Sequence, residues 1–144
     1  MNYHHKQMGW ITIAIILPAI VILLAVAVFS PQYPQLLMTA LIIFLPLSLF
    51  YCLTISVNNR ELQFSFGIGL IRKTILIKNI ESAVLVRNHW YHGWGIHYIG
   101  GRWLYNISGF DAVEMRLKNG KIIRLGTDEP EALLRAIRAN AGMR

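Results

Sequence analysis

Between positions 8 and 57 the chain carries no Asp, Glu, Lys or Arg, and an uncharged stretch of that length is best accommodated in lipid. Trp10 to Phe29, WITIAIILPAIVILLAVAVF, is an unbroken run of 20 residues. At ~1.5 Å per residue, a helix of that length covers the ~30 Å hydrocarbon layer. Leu36 to Leu53, LLMTALIIFLPLSLFYCL, is a second, slightly shorter run. Backbone polar groups find no water in lipid, so both runs are expected to be helical, with Pro18 and Pro46 causing at most local kinks.

The intervening Ser30-Pro31-Gln32-Tyr33-Pro34-Gln35 is short and uncharged, which predicts an antiparallel helical hairpin. The expected organisation is a tail over 1–7, spans over 8–29 and 36–54, an external turn over 30–35 and a domain over 55–144. Short flanks rich in Lys and Arg stay in the cytoplasm. Lys6 and the terminal amine on one side, with Arg60, Arg72 and Lys73 on the other, therefore predict a multi-pass protein of the cytoplasmic membrane with both termini inside. A competing reading takes Lys6, the first apolar run and Ala25-Val26-Ala27 as a cleavable signal peptide; it leaves the orientation of the larger domain unchanged. The single cysteine, Cys52, lies in the second run; it cannot form an intrachain disulfide and is expected to pack against lipid.

Beyond Ile55 the pattern changes to alternation, the mark of half-buried strands. Leu62, Phe64 and Phe66 alternate with Glu61, Gln63 and Ser65, and further strands are expected over Ile71–Ile77 and Ile80–Arg87. Val113, Met115 and Leu117 then alternate with Glu114, Arg116 and Lys118 ahead of Asn119-Gly120, a hairpin signal. A two-residue loop would place Met115 opposite Arg124. A three-residue loop over 118–120, with Gly120 left-handed, aligns Val113 and Met115 with Leu125 and Ile123 and keeps one face apolar. Asp128, Pro130 and Glu131 announce a final helix through a capping box, with Leu133, Leu134 and Ile137 buried and Arg135 and Arg138 in water.

The expected fold class is α+β: a two-helix transmembrane hairpin, then a bent antiparallel sheet or barrel capped by a C-terminal helix. With GIGLIRKTILIKNIESAVLV, a variable excursion, the VEMRLKNGKIIRLGT hairpin and a terminal helix, the chain resembles the bacterial pleckstrin-homology-like domain found behind paired membrane helices. The resemblance spans about residues 53 to 140 and implies a binding or assembly domain without a catalytic centre. Relatives that hold phosphoinositides use clustered Lys and Arg in the first turn. Here that turn reads Val57-Asn58-Asn59-Arg60-Glu61, so inositide binding does not carry over.

The most unusual segment is NHWYHGWGIHYIGGRWLYNISGF, residues 88–110, with seven aromatics, three histidines and five glycines. His89, His92 and His97 lack metal-ligand spacing, and the glycines lack the βαβ setting of a nucleotide fingerprint. Ser108 sits on no nucleophile elbow, so no catalytic residue, metal or cofactor is expected. Two readings of the aromatics stand. Trp90, Trp94, Trp103, Tyr105 and Phe110 could form core, or Trp94, His97, Tyr98, Arg102 and Trp103 could contact a partner or the bilayer surface.

Arg72, Lys73 and Lys78 are candidate contacts for anionic lipid headgroups. The net charge of +7 is accounted for by orientation and lipid attraction, without nucleic acid. The expected role is a membrane-anchored, non-catalytic binding or assembly module whose partner is a protein or a second copy. The alternative is a small membrane enzyme or metal-binding protein using the 88–110 segment.

Overall fold

The computed structural model describes residues 2–143; the terminal amine at position 1, and residue 144, lie outside that range. Strand β1 (Tyr3–Met8) leads into helix α1 (Trp10–Phe29), which turns back through α2 (Gln35–Phe50) into β2 (Cys52–Val57). β1 and β2 pair antiparallel from Tyr3↔Val57 to Met8↔Cys52. Gly9 N–H donates to the Tyr51 carbonyl at 2.8 Å, carrying the ladder to the foot of the helices. The helical hairpin is thus the long loop of a β-hairpin, and both of its feet lie at the same end of the sheet.

From Tyr3 onward the tail expected over 1–7 is therefore a strand, and His4 and His5 belong to it. Its polar side chains hide this, because on the face that carries Tyr3, His5 and Gln7 only the Tyr3 ring packs against the apolar core, while His5 and Gln7 meet Asp128 and Ser108. The two expected spans also differ from each other. Among the described residues, α1 is the one helix long and apolar enough to cross a membrane, and only 6% of its most apolar stretch is buried.

α2 has 16 residues, about 24 Å, and ends before the expected boundary at 54. Residues 52–54 enter β2 because Leu53, Ile55 and Val57 alternate with Thr54 and Ser56 and bury on one face. Cys52 accordingly sits in the sheet rather than in lipid, buried and with its thiol 3.7 Å from the Gly67 carbonyl.

β3 (Glu61–Phe66) and β4 (Ile71–Leu76) complete a four-stranded antiparallel sheet ordered β1-β2-β3-β4. The remaining strands are β5 (Ile80–Arg87), β6 (Gly95–Ile99), β7 (Arg102–Asn106), β8 (Asp111–Leu117) and β9 (Ile122–Gly126). They form a second sheet ordered β5-β8-β9-β7-β6. One pair departs from the antiparallel expectation: β7 and β9 run parallel, because the β6–β7 hairpin docks on the outer edge of β9. The β8–β9 register is the apolar one, Val113↔Leu125 and Met115↔Ile123, and Gly120 has φ +80° at the turn, the left-handed conformation this loop requires.

The inner faces of the two sheets pack Leu53, Ile55, Leu62, Phe64 and Phe66 against Val113, Met115, Ile123 and Leu125. Phe64 and Tyr105 meet edge to face across the gap at 4.8 Å between ring centroids, a favoured aromatic geometry. No ladder joins the sheets among the described residues, so the barrel does not close. Helix α3 (Pro130–Ala141) covers the core instead, burying Leu133, Leu134, Ala136 and Ile137.

Its N-terminus is built differently from the expected capping box. Glu129 is the N-cap without a side-chain bond, Thr127 Oγ1 accepts from the Glu129 N–H, and Asp128 is engaged by His5. Arg138, expected in water, donates from Nη2 to the Ala83 carbonyl at 3.0 Å.

Candidate functional site

Residues 88–110 are not an excursion from the domain but two strands and a short helical turn of its second sheet. β5 ends at Arg87, Asn88 N–H donates to the Phe110 carbonyl at 2.6 Å, and Trp90–His92 form a single 3₁₀ turn. β6 and β7 then pair from Gly95↔Asn106 to Ile99↔Arg102. Their two-residue connection is Gly100-Gly101, with φ +56° and +83°, the pair of positive angles that tight hairpins demand and glycine supplies without steric cost.

Of the five aromatics weighed as core, Tyr105 alone is buried, at 7% exposure, while Trp90 is 80% exposed. Trp94, Trp103 and Phe110 are each about two-fifths exposed. The five candidate contact residues separate by strand alternation. Tyr98 and Trp103 are cross-strand partners on the core-facing side, where Trp103 continues onto Tyr105 with centroids 6.3 Å apart. This row lies at the open side of the sandwich, where Lys73 from β4 donates to the Tyr105 hydroxyl at 2.9 Å and lies over the Tyr105 ring. Lys73 is thus already held by aromatics.

His97 and Arg102 occupy the opposite, outer face of the sheet. Trp94 belongs to neither face; it stands at the foot of the helices. There, Thr12 and Ile16 of α1, Pro46 and Phe50 of α2, and Trp94 and Ile96 line an apolar cavity of about 340 Å³. His97 Nε2 is 2.9 Å from the Trp94 carbonyl oxygen, fixing the bend that carries the tryptophan toward the helices.

The basic candidates separate as well. Gly67 N–H donates to the Cys52 carbonyl, so the β3–β4 turn lies beside the end of α2, with Ile68 and Leu70 exposed and Arg72 exposed next to them. Lys78 follows β4 at its far end, roughly 17 Å from that turn at ~3.3 Å per residue. Close to Lys78, a cavity of about 610 Å³ is lined by Lys73, Lys118 and Lys121 over Ile75 and Ile123.

The outer face of the second sheet holds a polar cluster that was not singled out in the sequence. Arg124, 8% exposed, donates from Nη2 and Nε to Glu114 Oε2 at 2.6 and 3.0 Å. Its Nη1 donates to Asn88 Oδ1 at 3.0 Å, and Arg102 Nη1 reaches Glu114 Oε2 at 3.3 Å. His92, on the 3₁₀ turn, lines an open cavity of about 110 Å³ beside this group with Ile99, Arg102, Leu104 and Arg124.

Removal from water, then the His89 ring and the charges of Arg124 and Arg102, push the His92 imidazole below its ordinary pKa. A signal for the cluster was present, since the register that aligns Met115 with Ile123 places Glu114 directly opposite Arg124. The three loop histidines do not converge as ligands. His89 stacks on Tyr91, His97 turns to Trp94, and no group of three His, Cys, Asp or Glu with metal-binding geometry occurs among the described residues. Comparison with family models, curated proteins and solved structures finds no match to this chain.

Proposed function

We propose that this chain is a membrane-anchored, non-catalytic binding or assembly module, with the helical hairpin in the bilayer and the two-sheet domain held against the membrane surface. The observation that carries this reading is the cavity formed by Trp94 and Ile96 with Thr12, Ile16, Pro46 and Phe50. Ile16 is six residues above the foot of α1, about 9 Å along its axis. A hairpin in lipid therefore sets Trp94 at the interfacial depth that tryptophan favours. Ile68, Leu70 and Arg72, beside the end of α2, supply a second apolar-and-basic contact suited to an anionic headgroup layer.

The pleckstrin-homology-like resemblance fits this role through the C-terminal helix laid over a predominantly antiparallel core, although the sheets stay open. The pairing of β1 with β2 supports a reading in which both feet of the hairpin share one side of the membrane. Lys6 and Arg72 near those feet favour the cytoplasmic side by the positive-inside rule. Tyr98, Trp103 and Trp90, exposed on the domain, are the surface for a protein partner or a second copy.

The test is depth-dependent quenching in nanodiscs containing brominated lipid, using variants that retain one of the four tryptophans and replace the others with Phe. Strong quenching of Trp94 and weak quenching of Trp103 is the expected result. Equal, weak quenching of both would remove the domain from the bilayer surface.

A further inference from the structure

We infer that the cavity beneath Trp90–His92 is a binding site for a phosphate-class oxyanion, held by Arg102, Arg124 and His92. The inference stands apart from the membrane reading, since the pocket lies wholly within the second sheet and its covering turn.

Charge comes first. The cluster contains two guanidinium groups and one carboxylate, Glu114. Glu114 Oε2 already accepts from Arg124 Nε and Nη2 and from Arg102 Nη1. Arg124, more than nine-tenths buried, is the closely paired one, so the surplus positive charge sits on Arg102, whose one contact to Glu114 is 3.3 Å long. The cluster is thus net positive beside a cavity that Arg102 and Arg124 both line, a setting that attracts an anion.

Hydrogen bonding points the same way. Arg102 Nε, Asn88 Nδ2 and His92 Nδ1 are buried and have no partner among the described residues. The first two are obligate donors, and the third donates in its Nδ1–H tautomer. Asn88 is itself 5% exposed and fixed by its bond to Arg124 Nη1.

Buried donors of this kind are rare in folded proteins unless something accepts from them. A group with several acceptor oxygens and negative charge, seated in the cavity that Arg102 and His92 line, satisfies their two donors and the surplus charge together, and guanidinium is the side chain best matched to such oxygens. The volume of about 110 Å³ equals some four waters at ~30 Å³ each, which is room for one tetrahedral oxyanion.

The apolar walls, Ile99 and Leu104, lower the local dielectric and strengthen the attraction. Two sources present the same chemistry, free inorganic phosphate and the phosphate of a lipid headgroup, and Trp94, which follows the covering turn, borders the foot of the helices.

Thermal unfolding of the full-length protein in detergent, with inorganic phosphate against chloride at equal ionic strength, tests the site. Phosphate is expected to raise Tm saturably. Arg102→Gln, at a side chain 38% exposed and so tolerant of change, is expected to weaken apparent affinity about tenfold, the effect of one charge-assisted hydrogen bond.

Asn88→Asp is the second variant. It supplies an internal carboxylate beside Arg124, and should raise Tm without phosphate and abolish the phosphate response. In nanodiscs, loss of the free-phosphate response when phosphatidate is present, with retention in phosphatidylcholine alone, assigns the site to a headgroup; retention in both assigns it to soluble phosphate. An equal rise in chloride, no response in any medium, or a wild-type response in both variants would overturn the inference.

Discussion

His5 Nε2 lies 2.6 Å from Asp128 Oδ1, linking the strand that precedes the helical hairpin to the turn that starts the last helix. Two residues earlier, the Tyr3 hydroxyl donates to Glu129 Oε2 at 3.4 Å. Two residues later, Gln7 Nε2 donates to Ser108 Oγ and to the Ser108 carbonyl. One face of β1 is therefore a polar seam along the second half of the domain, and the strand locks the hairpin to the sheet at both feet.

Tyr3 provides a pH-dependent readout of this seam. Burial first, then the nearby Glu129 and Asp128 carboxylates, hold its hydroxyl up to about 12, against about 10 in an unfolded chain. The neutral phenol is favoured by folding, so its contribution is complete below pH about 10 and is lost as pH rises through about 12. Wild type should therefore lose stability more steeply than Tyr3→Phe over that interval, measured by thermal unfolding at a series of alkaline pH values. Parallel pH profiles would contradict the assignment.

Gly67 should tolerate no side chain. Its φ is +51°, and a Cβ would run into the backbone carbonyls of Ser48 and Leu49 at the end of α2. Gly67→Ala is expected to cost about 2 kcal/mol or more. Gly120→Ala, at φ +80° with nothing near its Cβ, should cost only about 1 kcal/mol for the backbone conformation. Denaturant unfolding of both variants in detergent checks the difference.

Removing the Glu114 carboxylate strands the Arg124 guanidinium. Glu114→Ala should cost about 3 kcal/mol, typical of breaking a buried ion pair from one side. Glu114→Met combined with Arg124→Met should recover most of that loss, because an apolar pair leaves no buried charge behind. A double variant less stable than Glu114→Ala would show that the pair contributes more than mutual compensation.

Orientation is open to labelling. With Cys52 buried, Gln32→Cys in the turn and Lys118→Cys in the β8–β9 loop are the sites to probe with an impermeant maleimide on intact cells. The turn should label and the loop should label only after lysis. The reverse pattern would place the domain outside.

Much of the domain was legible because its strands bury one face against a core, so that apolar and polar residues alternate along the chain. Leu62, Phe64 and Phe66 are such a case, and the β8–β9 register followed from keeping Met115 opposite Ile123. β1 escaped notice because the partners of Tyr3, His5 and Gln7 are polar and lie about a hundred or more residues away in sequence. The end of α2 was misplaced because an apolar helix and the first residues of a buried strand have the same composition. For the 88–110 segment, composition revealed an anomaly but not which strand face each aromatic would occupy.

The exclusion of charge over 8–57, the alternation along the strands and the closure of the 118–120 loop can be read directly from the residues, because they are local properties set by side-chain chemistry and backbone sterics. Tertiary pairing, in contrast, makes the helices the loop of a β-hairpin, turns Tyr98 and Arg102 opposite ways, and brings His92, Arg102 and Arg124 to one pocket. Those arrangements depend on pairing between strands distant along the chain, where a one-residue change of register reverses every face.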